Sequence, residues 1–155
     1  MYLPMTLSQT DDLAVQSRTA PAPAGRILFV DDEPVMRRNV WHALTRAGYS
    51  VALAEDGVGA WNALSAEAFD LLITDSQMPG LSGEELVIRL RRHGLKLPII
   101  VAAARIEFFL RSENRYLQVA AVLSKPFFLR DLTTVVRGVL SAETFAVPVH
   151  HPPEK

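Results

Sequence analysis

The sequence predicts a doubly wound α/β domain, a five-stranded parallel sheet with five helices divided between its faces. Three observations carry this. Five short apolar runs recur between Arg26 and Leu140, the segments between them have a helical period, and Gly or Pro marks several of the junctions. Unbroken apolarity, rather than alternation, is what a strand covered on both faces requires. Five strand–helix units in about 115 residues build such a sheet, because each crossover helix returns the chain parallel to the strand before it.

The elements follow in order. Ile27–Val30 is the first strand. Pro34 then suits a first helical position, where its missing N–H would be unpaired anyway. Met36, Val40, Leu44 and Ala47 form that helix's apolar stripe, and Gly48 stands where it should stop. Val51–Ala54 is the second strand, with Val58, Trp61 and Leu64 as the stripe after it. Leu71–Thr74 is the third, and Ser82 with Glu85 has capping-box spacing for the next helix. That helix ends in Arg89, Arg91, Arg92 and His93 before Gly94. The basic run reads as a solvated helix end offsetting the dipole. Ile99–Ala102 is the fourth strand, and a helix is predicted from Arg105 to about Tyr116. Ile106, Phe109 or Leu110, and Leu117 fit its buried stripe. Phe108 falls off it beside Arg111, Ser112 and Arg115, an exposed aromatic suited to a partner surface. Ala120–Leu123 completes the sheet, and Leu129, Leu132, Val136 and Val139 form the last stripe.

Six of the ten prolines lie in the ends of the chain. Residues 1–25 therefore read as a flexible extension, 26–140 as the folded domain, and 141–155 as a flexible Pro-rich tail. Within 155 residues, 16 Lys and Arg face 17 Asp and Glu, a formal net charge of −1. That balance offers no basic surface for direct nucleic-acid binding. The absence of Cys excludes disulfides, zinc–thiolate sites and cysteine nucleophiles. No apolar run approaches the roughly 20 residues of a membrane span, and no signal peptide opens the chain, so a cytoplasmic protein is expected.

In a doubly wound sheet the ligand site lies beyond the C-terminal strand ends. Strand one ends in Asp31-Asp32, strand three in Asp75 and strand five in Lys125-Pro126. Carboxylates about 4–5 Å apart repel by roughly 3–4 kcal/mol per pair at an effective dielectric near 20. Such a cluster binds a cation or protonates. Oxygen ligands without His or Cys favour a hard ion, best matched by Mg²⁺. A carboxylate beside Mg²⁺ and a Lys can attack phosphorus while both cations stabilise the transferring group.

The stretches ILFVDDEPVMRR at 27–38, AGYSV at 47–51, LLITDSQMPGLSG at 71–83, LPII at 97–100 and SKPF at 124–127 together resemble the receiver domain of two-component response regulators. The resemblance implies the flavodoxin-like, CheY-like fold with strand order 2-1-3-4-5 and a cis Lys125–Pro126 bond. It implies that Asp75 is the phosphoacceptor, taking its phosphoryl group from a sensor histidine kinase or a histidine phosphotransfer protein. Asp31, Asp32, Asp75 and the backbone carbonyl of Gln77 would hold Mg²⁺, and Lys125 would pair with Asp75 or the phosphoryl oxygens. Gln77 and Arg105 occupy positions that set phosphate lifetime in the family.

Two positions depart from the family pattern. Ala103 stands where a Thr or Ser hydroxyl would reach the phosphoryl group, and Val122 stands where an aromatic would complete the relay to the surface. Phosphorylation is compatible with both; the usual output route is not. The expectation is thus a single-domain switch that catalyses only its own phosphorylation and dephosphorylation, is not a turnover enzyme, and signals by contacts with a downstream protein. The alternative is an interaction module that works without phosphorylation.

Overall fold

The computed structural model describes residues 24–141 and Val149–His150. Most of the predicted extension and tail lies outside the described residues. The elements are β1 (Arg26–Val30), α1 (Pro34–Arg46), β2 (Ser50–Ala54), α2 (Gly57–Ala66), β3 (Leu71–Asp75), α3 (Gly83–Arg92), β4 (Ile99–Ala103), α4 (Glu107–Leu110), a 3₁₀ segment (Ser112–Leu117), β5 (Ala121–Ser124), α5 (Leu129–Ser141) and β6 (Val149–His150). All strand pairs are parallel, in the order β2-β1-β3-β4-β5 that the resemblance implies. Beyond expectation, β6 adds to the outer edge of β5, pairing Val122 with Val149 and Leu123 with His150. The sheet therefore has six strands, the last drawn from a segment the sequence reads as tail.

The alternating directions of strand side chains divide the core in two. On one face Ile27, Phe29, Leu71, Ile73, Ile100 and Leu123 meet Val40 and Leu44 of α1 and Leu132, Val136 and Val139 of α5. On the other, Leu28, Val30, Leu72, Val101 and Val122 meet α2, α3 and the segment after β4. Burying side chains of this size contributes about 1.5–3 kcal/mol each.

Helix boundaries fall where the local chemistry puts them. Pro34 opens α1, and Gly48 and Gly94 adopt φ of 102° and 79° just past α1 and α3. Left-handed backbone of this kind costs glycine nothing because it has no Cβ. Ser82 and Glu85 form the reciprocal capping box, and the Asp56 side chain caps α2 through the Gly59 N–H at 2.7 Å. The Lys125–Pro126 bond is cis.

Two helical readings are corrected. Val58 is 55% exposed, and the inward face of α2 is Gly57, Ala60 and Leu64. A Cβ on Gly57 would overlap the Leu81 carbonyl, so α2 packs too closely for a large residue there. The helix predicted over 105–116 is instead one turn, an extended residue (Arg111, φ −65°, ψ 139°) and the 3₁₀ segment. Asn114 Nδ2 donates to the Phe108 carbonyl at 2.6 Å. A side chain that takes a backbone acceptor in this way competes with the regular helical ladder.

Candidate functional site

Three parallel strand ends bring the predicted site together on one rim. Asp31 follows β1, Asp75 ends β3 and Lys125 follows β5. One carboxylate oxygen from each of Asp31, Asp32 and Asp75 lies within 4.8 Å of the other two. Lys125 Nζ sits between Asp75 Oδ2 at 3.0 Å and Asp31 Oδ2 at 3.4 Å. Local backbone fixes each group. Asp31 Oδ1 accepts from the Glu33 N–H at 2.8 Å, which leaves Oδ2 for Lys125. Arg37 Nη1 donates to the Asp31 carbonyl at 2.7 Å. The Lys125 N–H donates to the Ala103 carbonyl at 2.8 Å, tying the ends of β4 and β5. Beneath Asp75, Gly83 donates to the Ser76 carbonyl at 3.0 Å. A Cβ on Gly83 would overlap the Asp75 carbonyl.

Asp31 and Asp75 are almost wholly buried, while Asp32 is exposed. Burial pushes the Asp75 carboxyl above its usual range; the Asp31 charge adds to this, and Lys125 and the Gln77 N–H only partly offset it. Burial also works against the Lys125 ammonium, but Asp75 and Asp31 outweigh it and hold Lys125 above its usual value. Three acids with one ammonium leave negative charge that wants a further cation. The ligand atoms are all oxygen, which fits a hard divalent ion.

The remaining predicted positions divide. Gln77 is at the site: its N–H lies 3.4 Å from Asp75 Oδ1, and its Nε2 lies 3.4 Å from Glu84 Oε1. Arg105 borders a cavity of about 750 Å³ that it shares with Ser76, Gln77, Glu84, Ala104, Phe108 and Arg111 and that none of the acid-cluster residues lines. Ala103 is buried, so no side-chain hydroxyl faces the pocket from the end of β4. Val122, the relay position expected to lead to a partner surface, is 0% exposed, enclosed by the core. Phe108, expected to be exposed, is half-buried and packs against the core.

Sequence reasoning missed Glu84 and Arg111 as cavity residues and misread Arg91. Half-buried at the opposite rim, Arg91 donates to the carbonyls of Leu117 (2.6 Å), Leu95 (2.8 Å), Leu97 (2.9 Å) and Gln118 (3.2 Å). It is a clamp, not a solvated helix end. Nothing in its sequence position signals this, because its acceptors are backbone atoms.

A clustered acid triad with a lysine, at the C-terminal strand ends of a 2-1-3-4-5 sheet, defines a signalling receiver. The response regulator receiver domain family matches residues 27–137, and the chain belongs to it. It is 38% identical over 115 residues to the response regulator MprA of Mycobacterium avium, covering 74% of this chain and 50% of that protein. The chain thus spans about half the length of such curated relatives. Among solved structures it is similar to the chemotaxis response regulator CheY4 of Vibrio cholerae (TM-score 0.67, 30% identity, 74% of this chain and 97% of that one). It is likewise similar to the response regulator TrrA of Thermotoga maritima in complex with Mg²⁺ and BeF (TM-score 0.65, 30% identity, 74% and 97%).

Proposed function

We propose that this domain is a phosphoacceptor switch in which Asp75 takes a phosphoryl group from a phosphohistidine on a sensor kinase or phosphotransfer protein. A carboxylate oxygen of Asp75 attacks phosphorus, the new O–P bond forms as the N–P bond breaks, and the released imidazole nitrogen takes a proton from water. The observation that carries this is the Lys125 ammonium held 3.0 Å from Asp75 within the acid cluster. There it can pass from the carboxylate to a phosphoryl oxygen without leaving the site. Asp31, Asp32, Asp75 and the Gln77 carbonyl would hold Mg²⁺, which when bound supplies positive charge to the transferring phosphoryl oxygens. Arg105, on the cavity lined by Ser76 and Gln77, would cover the phosphoryl group. The outcome is a change in contacts with a downstream protein rather than turnover of a substrate.

The experiment is intact mass after incubation with acetyl phosphate, with and without Mg²⁺, on wild type and Asp75→Asn. The expected result is a Mg²⁺-dependent gain of one phosphoryl group that the variant lacks. A second reading, a module that works without phosphorylation, is favoured by the apolar residues at both relay positions, Ala103 and Val122. It is the conclusion if wild type gains no phosphoryl group and binds no Mg²⁺ in a titration.

A further inference from the structure

We infer that the cavity at the N-terminal ends of β4 and β5 binds a small, free phosphate monoester, its dianion held by Arg91, Lys96 and Arg115 and its organic body laid on the apolar wall beneath them. The site lies at the rim opposite the acid cluster, so it stands whether or not Asp75 is phosphorylated.

Charge is the first ground. The cavity has a volume of about 350 Å³, within the range of small-molecule pockets. Three cations line it, Arg91, Lys96 and Arg115, and no acidic side chain does. Like charges gathered around one space repel. Among the described residues, the ion pairs are those of Arg26 with Glu67 and of Lys125 with Asp31 and Asp75. None of the three cavity cations therefore has a carboxylate partner.

Arg91 is the deepest of the three, half-buried where Lys96 and Arg115 are exposed. A guanidinium has five N–H donors. Four of those on Arg91 go to the carbonyls of Leu95, Leu97, Leu117 and Gln118, which leaves one on Nη2 for a ligand. The carbonyls fix the group in place but are neutral, so its charge is not cancelled. Burial lowers its pKa with no acid acting in the other direction.

The rest of the lining selects the ligand. Pro98, Val119 and Ala120 form an apolar wall. An inorganic ion would leave that wall to water, and an organic body covers it. A phosphate monoester brings close to two negative charges and three acceptor oxygens at neutral pH, where a carboxylate brings one charge and two oxygens. The planar fork of Arg115 suits such a group. The three cations come from three stretches: α3, the loop before β4, and the 3₁₀ segment. A bound dianion thus ties the 3₁₀ segment to the base of β4 through side chains, beside the backbone ties that Arg91 makes.

The test titrates the full chain with phenyl phosphate in Mg²⁺-free buffer with EDTA, where the acid cluster repels anions, and follows amide chemical shifts. Saturable binding with a Kd of about 1 mM or tighter is expected, with shifts at 96, 115 and 118–120 and none at 31, 32 or 75. Inorganic phosphate and benzoate, each with part of the ligand's chemistry, should bind several-fold more weakly. Lys96→Gln with Arg115→Gln should weaken phenyl phosphate about ten-fold, at roughly three-fold for each exposed ion contact. Arg115→Lys should lose less than Arg115→Gln. Arg92→Gln, which removes an exposed cation of α3 outside the cavity, should change nothing. Arg91 is left intact because it holds the fold, and the single variants decide if the double one does not fold. Amide exchange over 112–118 should slow at saturation. No saturable binding overturns the proposal, as does inorganic phosphate that binds as tightly as the ester. Loss in Arg92→Gln equal to that in the double variant would mark a diffuse basic surface and overturn it too. Vesicles containing phosphatidic acid present the same monoester from a membrane and should not sediment the chain; sedimentation that the double variant abolishes would assign these cations to a lipid surface instead.

Discussion

Replacing Arg91 by alanine should cost this domain more stability than any other single change of a charged side chain at its surface. The four carbonyls that Arg91 engages belong to two separate stretches, Leu95 and Leu97 before β4 and Leu117 and Gln118 before β5. Hydrogen bonds from a charged donor contribute about 1.5–3 kcal/mol each, and a buried carbonyl left unpaired costs about 1–3 kcal/mol. These do not add fully, since the outer carbonyls can turn to water. Burial also depresses the guanidinium's pKa, so the charge itself is held at a cost that the variant escapes. The net expectation is a loss of about 3–4 kcal/mol, a large share of the roughly 5–15 kcal/mol that holds a domain folded. Urea unfolding at neutral pH measures it. With a slope of about 1–3 kcal/mol per molar, the midpoint should fall by at least 1 M. Arg91→Lys should recover little, because an ammonium cannot span both stretches. A loss under about 1 kcal/mol would show that the four contacts behave as solvent-exposed ones and refute the clamp.

Two further outcomes follow from the acid cluster and its floor. The Asp75 carboxyl has a raised folded pKa, so the folded state holds its proton more tightly than the unfolded chain. Its ionisation therefore costs stability as pH rises from the ordinary carboxylate value through the raised one. In Mg²⁺-free buffer Asp75→Asn should have the higher urea midpoint at pH 7, with the gap closing as pH falls towards 4; a gap that widens on acidification would contradict the sign. Gly83→Ala gains at most about 1 kcal/mol of helix propensity but drives a methyl group into the Asp75 carbonyl. It should lose about 2–3 kcal/mol net in thermal or urea unfolding and slow phosphorylation from acetyl phosphate, and a stabilised variant would show that α3 is free to retreat.

The strands and the acid site were legible because their signals are local and strong. Continuous apolar runs identify β1, β3 and β4, and Asp31, Asp32, Asp75 and Lys125 stand directly at strand ends. What escaped depends on partners distant in sequence. Arg91 looks like any basic residue in a last helical turn, and the carbonyls of Leu117 and Gln118 that define it lie 26 and 27 residues away. Glycine at position 57 carries no hydrophobic signal, so the stripe went to Val58, although close packing on Leu81 puts Gly57 inward. The spacing of Ile106, Phe109 and Leu117 fits one helix; the Asn114 bond to Phe108 that accompanies the break is a side-chain event that periodicity does not register. At β6, two residues are too few for any pattern.

The segment from Glu107 to Leu117 is held very differently at its two ends. Leu117 is fully buried and its carbonyl is fixed by Arg91, whereas α4 buries only Phe109, with Glu107, Leu110 and the following Arg111 exposed. Mechanically this is a lever with its pivot at the far rim. The 3₁₀ segment of 6 residues gives an arm of roughly 12 Å at about 2 Å per residue. A swing of some 10° about Leu117 then shifts the tip by about 2 Å while Tyr116, near the pivot, scarcely moves. A partner that reads the tip would feel the full stroke; one that grips the base would feel none.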